Sequence, residues 1–156
     1  MEYKTGKPTT CRSPWVNEMK LLIWHVDSFK SVITQKGRSG LVEEPEEKET
    51  AVGEALIVFT AVEKQDDEQP GVAAQKAAEA LAAHAKNVKC NTIVIHPFAH
   101  LFADLGNPEK AVEIMDAVKS LLSEKGFDAI RTPFGWFNKL EINAKGHPLS
   151  RVAKRI

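Results

Sequence analysis

A chain of 156 residues with 43% hydrophobic content can bury one continuous core without disulfide or metal staples, so a single compact domain is expected. Lysine plus arginine equals aspartate plus glutamate, 21 of each, which excludes the basic excess of a protein that coats a long nucleic-acid backbone. Cys11 in a polar leader and Cys90 at the head of an apolar run suggest neither a disulfide framework nor a zinc cluster, and fit a reducing, cytoplasmic setting. No apolar stretch is long enough for a membrane span and residues 1–18 lack the core of a secretory signal, so a soluble protein with no membrane partner is expected.

In chain order, residues 1–18 carry Pro8 and Pro14 without periodicity and read as an extended leader ahead of a domain over 19–156. Lys20-Leu21-Leu22-Ile23-Trp24-His25-Val26 reads as a buried strand and Phe29-Lys30-Ser31-Val32-Ile33-Thr34 as a second one, joined as a hairpin near Asp27. Gly37, Gly40, Pro45 and the run Glu43, Glu44, Glu46, Glu47, Glu49 mark an exposed loop or edge. The uniformly apolar run from Glu54 to Val62 belongs at the centre of a sheet. Pro70-Gly71 opens a helix, with alanines and leucine at helical spacing over 73–85, and Asn91 to His96 returns as a buried strand, completing a β-α-β unit. Asn107 and Pro108 cap and start a second helix whose apolar face is Val112, Ile114, Met115, Val118, Leu121 and Leu122, with Gly126 ending it. Two more strands, 127–131 and 136–142, flank the turn Pro133-Phe134-Gly135. Basic residues gather near the end, where Lys125, Arg131, Lys139, Lys145, Arg151, Lys154 and Arg155 offer contacts for a few phosphates, with a solvated mixed surface as the plainer alternative.

Chemistry concentrates after the 91–96 strand. A proline directly after a strand cannot extend the ladder, so the backbone from Pro97 to Leu101 is expected to leave the sheet with free amides and carbonyls, at the crevice where open α/β sheets take ligands. Small Ala99 lets a ligand approach that main chain, whereas an ordinary connection plugged by Phe98 is the plainer alternative. His96 and His100 stand four apart, but proline sits where a zinc-protease motif needs glutamate, and no metal or other cofactor is expected. His100 suits a donor or proton carrier. His25 and Asp27 are candidates to lie close by. No Gly-x-Ser-x-Gly elbow is present and Cys90 reads as a core thiol, which disfavours covalent catalysis.

Three stretches taken together, Ala61-Val62-Glu63-Lys64, His96-Pro97-Phe98-Ala99-His100-Leu101, and Pro133-Phe134-Gly135 through Lys145-Gly146-His147-Pro148-Leu149, closely resemble the N-terminal editing domain of archaeal threonyl-tRNA synthetases. That family is itself similar in fold to D-aminoacyl-tRNA deacylases. The resemblance covers nearly everything from Met19 to Ile156. It implies an α/β domain with a central, mostly buried β-sheet and two main helices. It also implies hydrolysis of L-serine from the 3′ aminoacyl-adenosine end of tRNA charged for threonine, in a pocket made largely of main chain.

Carried over, Val62 and Glu63 would hold the terminal adenosine. Pro97, Phe98, Ala99 and His100 would enclose the aminoacyl group, and Phe134, Gly135 and Phe137 would line the cavity. Family members carry a lysine and a glutamate where this chain has Asn138 and Arg151. Asn138 is thereby left to give a neutral hydrogen bond to the reaction, Arg151 to touch phosphate, and the main chain with the terminal 2′-hydroxyl to position the water. A D-aminoacyl-tRNA deacylase and a non-catalytic module that binds tRNA ends are the competing expectations. The resemblance further implies a homodimer, and either an excised domain with the rest of a synthetase as its partner or a free-standing protein.

Overall fold

The computed structural model describes residues 19–37, 41–62, 69–98 and 107–156. Among the described residues, seven strands form one sheet: β1 (Lys20–Lys36), β2 (Glu49–Val52), β3 (Ala55–Ala61), β4 (Thr92–Pro97), β5 (Asp128–Arg131), β6 (Trp136–Ala144) and β7 (Arg151–Arg155). The main order is β2-β1-β3-β4-β5, with β6 and β7 also paired to β1. Helices α1 (Pro70–Val88) and α2 (Pro108–Glu124) link β3 to β4 and β4 to β5, and both strand pairs are parallel.

The expected hairpin at Asp27 is instead one strand of 17 residues. Asp27 and Ser28 are exposed, but the chain absorbs them as an irregularity in the β6 ladder between Val26 and Ser28. Such a bulge bends a strand without ending it, and it keeps both Val26 and Phe29 buried. The first half of β1 lies between β3 and β7, the second half between β2 and β6. β2 is an edge strand inside the acidic stretch, and β7 is a strand that the basic tail conceals in the sequence.

The apolar run 55–61 is buried throughout and central, as its composition requires. One core packs Leu21, Ile23, Leu56, Val58, Ile93 and Ile95 against the alanine face of α1 and Ile114, Met115, Val118 and Leu122 of α2. On the opposite face, Phe29, Leu140 and Ile142 pack with Ile57, Phe59 and Val94, so the second half of β1 folds over the sheet with β6. The start of α2 matches its capping signal, with the Asn107 side chain accepting from the Glu109 amide at 2.8 Å. Gly126, at φ 93°, turns the chain out of that helix into β5.

Candidate active site

Parallel β3, β4 and β5 bring three of the motif segments to one end of the sheet. Val62 follows β3 and is buried, Pro97 closes β4 opposite Thr60, and the 133–135 turn follows β5. The Phe98 amide, expected free, donates to the Thr60 carbonyl at 2.9 Å and so extends the β3–β4 pairing one step beyond the proline. Glu63, Ala99 and His100 lie outside the described residues. The Phe98 ring stacks on Phe59 with centroids 5.4 Å apart.

His96 is a supporting group. Its Nδ1 lies 2.8 Å from the Thr132 hydroxyl, and it is packed edge-on to Phe29. Burial pushes its pKa down to about 4, so the ring is neutral at physiological pH. The Thr132 amide also donates to the Ile95 carbonyl at 3.0 Å. Through Ile95, His96 and Thr132, the strand end that carries Pro97-Phe98 is tied to the strand end that carries Pro133-Phe134-Gly135.

That turn is held from the other side by the segment following β1. Gly135 has φ 92°, and a Cβ there would collide with the Leu41 carbonyl oxygen and Val42 Cα. The Gly37 amide donates to the Gly135 carbonyl at 2.7 Å. The Phe134 amide donates to Glu43 Oε1 at 2.8 Å, and the Trp136 indole donates to the Glu43 carbonyl at 2.7 Å. The Arg131 hydrogen bonds hold the Glu43 carboxyl below the usual carboxylate range. Glu43 went unrecognised in the sequence because nothing distinguishes it from its neighbours Glu44, Glu46 and Glu47. The Phe134 ring is buried and the Phe137 ring is exposed.

Asn138 lies opposite Ile33 and Arg151 opposite Trp24, on the two halves of β1. Asn138 accepts from Ser31 Oγ at 3.1 Å and donates to the Trp136 carbonyl at 3.0 Å, so much of its amide is already committed. Arg151 sits over the Trp24 ring at 6.0 Å, an exposed cation at the surface of the sheet.

His25 and Asp27 do not join this group. His25 pairs with Leu56 at the start of β3, six residues before Val62, an interval of about 20 Å along a strand. It belongs to a separate polar cluster. The Leu149 amide donates to His147 Nδ1 at 3.2 Å, which puts the His147 proton on Nε2. That proton goes to His25 Nδ1 at 2.8 Å, leaving the His25 proton on Nε2.

His25 Nε2 is 3.3 Å from Glu54 Oε2 but off a good hydrogen-bond line, and so buried and incompletely satisfied. Burial lowers the His25 pKa, with Glu54 opposing. His25, Glu54 and Cys90 offer ligand atoms within 4.8 Å of one another, close enough to share an ion. A metal would have to displace the Nε2 proton, however, and Lys145 Nζ already lies 3.2 Å from Glu54 Oε2. The arrangement favours a hydrogen-bonded structural cluster. Burial raises the Cys90 pKa, as suits a core thiol.

The fold is similar to that of a solved chain described as a probable eukaryotic D-amino acid tRNA deacylase. The two share a TM-score of 0.60 at 13% identity, over 88% of this chain and 99% of that one. The likeness places this chain in the same fold class. Within it, residues 19–156 match the archaea-specific editing domain of threonyl-tRNA synthetase, and the chain belongs to that family.

Curated relatives include threonine–tRNA ligases of Methanopyrus kandleri and Methanocaldococcus jannaschii, each 38% identical over 138 residues. The match takes in 88% of this chain and 22% of each relative, so the chain spans about a fifth of the length of these ligases.

Proposed function

We propose that this domain hydrolyses L-serine from tRNA charged for threonine. Water attacks the ester carbonyl, the bond from the acyl carbon to the ribose oxygen breaks, and the proton of the water passes to that oxygen. The observation that supports this reading is the bonding of the β4 end to Thr132, the residue that leads into the 133–135 turn. Serine and threonine differ by one methyl, whose attractive burial gives about 1–3 kcal/mol, so a synthetic site that selects threonine still admits some serine. A second, smaller pocket can reject the methyl sterically and hydrolyse what fits.

In this reading the main chain near Val62 and Glu63 holds the adenosine, Pro97, Phe98, Ala99 and His100 surround the aminoacyl group, and Phe134, Gly135 and Phe137 complete the wall. Arg151 meets a phosphate. Neither His96, neutral and buried, nor Asn138, already bonded, supplies a strong base. The catalytic load therefore falls on backbone donors, with His100 as a pocket donor or proton carrier, and on the 2′-hydroxyl of the terminal ribose, which orients the water. Asn138 adds a neutral hydrogen bond from its remaining capacity.

The rest of a synthetase is the partner, and two copies pair through their sheets in the cytoplasm. No helix among the described residues is long and apolar enough to cross a membrane. Hydrolysis of seryl-tRNA against threonyl-tRNA and D-aminoacyl-tRNA tests the proposal. Rapid loss of serine with threonine spared is expected, and preference for the D-amino acid or binding without turnover would overturn it.

A further inference from the structure

We propose that Glu43 is a positioning residue of the pocket, fixing the main chain of Phe134 so that its ring sets the room left for the amino-acid side chain. The inference rests on the reading that Phe134 lines that pocket.

Both polar main-chain groups of Phe134 are bonded to one residue. Its amide donates to Glu43 Oε1 at 2.8 Å, and its carbonyl accepts from the Glu43 amide at 3.1 Å. The carboxylate is in turn gripped at two points by Arg131, Nη1 to Oε1 and Nη2 to Oε2, each at 2.6 Å. Arg131 is anchored to α2 through Asp116 Oδ1 at 2.6 Å, with its side chain only 11% exposed. A planar guanidinium facing a planar carboxylate fixes orientation as well as distance.

The residue after Arg131 is Thr132, whose hydroxyl meets His96 immediately before Pro97. The grip on Glu43 and the link to the opposite wall of the pocket therefore share two consecutive residues of β5 and its exit. Rejecting one methyl demands a wall that does not yield by a fraction of an ångström. A turn held only by the Gly37 and Glu43 amides and the Trp136 indole, with no carboxylate on the Phe134 amide, would yield. Glutamine at 43 would keep an acceptor for the Phe134 amide and lose the two-point ion pair, and alanine would lose both.

The test measures two things on the intact chain and on Glu43→Ala and Glu43→Gln: hydrogen exchange of the Phe134 amide, and deacylation of seryl- and threonyl-tRNA. Glu43→Ala is expected to speed Phe134 exchange about ten-fold with the α1 amides unchanged. It is also expected to lower kcat on seryl-tRNA about ten-fold with KM little moved, and to cut selectivity over threonyl-tRNA about five-fold. Glu43→Gln is expected to recover most of the protection and part of the selectivity. Should Glu43→Ala not fold, Arg131→Lys, which keeps the charge and loses the two-point grip, gives the same comparison.

Unchanged Phe134 exchange, or two rates that fall together at constant ratio, would overturn the proposal. A wild-type chain that leaves seryl-tRNA intact, with exchange still faster in Glu43→Ala, would overturn the functional reading while the clamp on Phe134 stands.

Discussion

His147 donates its Nε2 proton to Nδ1 of His25 across 2.8 Å, although 122 residues separate them in the chain. The direction is set by a backbone amide, that of Leu149, which occupies His147 Nδ1 and so fixes both tautomers. The chain leaving β6 is pinned to β1 at the same place, by Lys145 N to the His25 carbonyl and His25 N to the Ser150 carbonyl, both at 2.8 Å. His147→Ala leaves His25 Nδ1 buried without a partner, and a loss of about 1–3 kcal/mol in urea unfolding is expected. The editing rate of the folded fraction should hold, because His25 pairs with the far end of β3 from Val62. A deacylation assay at saturating substrate checks the second point.

The buried histidines make stability depend on pH in a definite direction. His96 titrates near 4 in the folded protein against 6.5 for the free side chain, because burial disfavours its charged form. Above pH 6.5 it is neutral in both states and contributes no difference. Below 6.5 the unfolded chain takes up a proton that the folded chain refuses, so stability falls by about 1.4 kcal/mol per pH unit down to about 4. Burial lowers His25 and His84 as well, with the same sign. Urea melts between pH 7 and 5 should show the loss, and His96→Gln should flatten it by about that slope.

Much of the architecture was legible because local and global signals agree. The apolar run at 55–61 could only be a central strand, and Asn107-Pro108 with Gly126 bracketed α2 within a residue or two. Asp27-Ser28 misled because a polar pair between apolar runs is equally the mark of a turn and of a bulge; only the pairing with β6 decides between them. The site divides in the same way. The turn Pro133-Phe134-Gly135 is legible as a turn, whereas Pro97 misled: it pairs with Thr60, and the Phe98 amide carries the ladder one step further. Glu43 owes its place to Arg131, 88 residues away, and no pattern within an acidic run encodes that distance.

Gly135 offers a sharper test of the turn. Its φ of 92° is strained for any L side chain, and a methyl there meets the Leu41–Val42 backbone, which cannot give way as a flexible side chain would. Gly135→Ala is expected to cost about 2–4 kcal/mol of stability and to abolish serine removal in whatever fraction folds. Gly53→Ala, where a methyl meets nothing within 4 Å and φ is not positive, should be nearly silent in both assays.

The departure at Asn138 and Arg151 makes the mechanism testable with the substrate rather than the protein. If backbone donors and the ribose carry the reaction, seryl-tRNA ending in 2′-deoxyadenosine should be hydrolysed at least about 100-fold more slowly, a difference of about 2.7 kcal/mol in the barrier. Asn138→Ala should cost less than about ten-fold, since Ser31 and the Trp136 carbonyl already occupy much of its amide. Arg151→Ala, which removes an exposed cation over Trp24, should raise KM and make it less sensitive to salt while sparing kcat. Single-turnover rates with the two substrates check the first pair of expectations, and a salt series checks the third. An undiminished rate on the 2′-deoxy ester, or a collapse of rate in Asn138→Ala, would return the chemistry to the side chains.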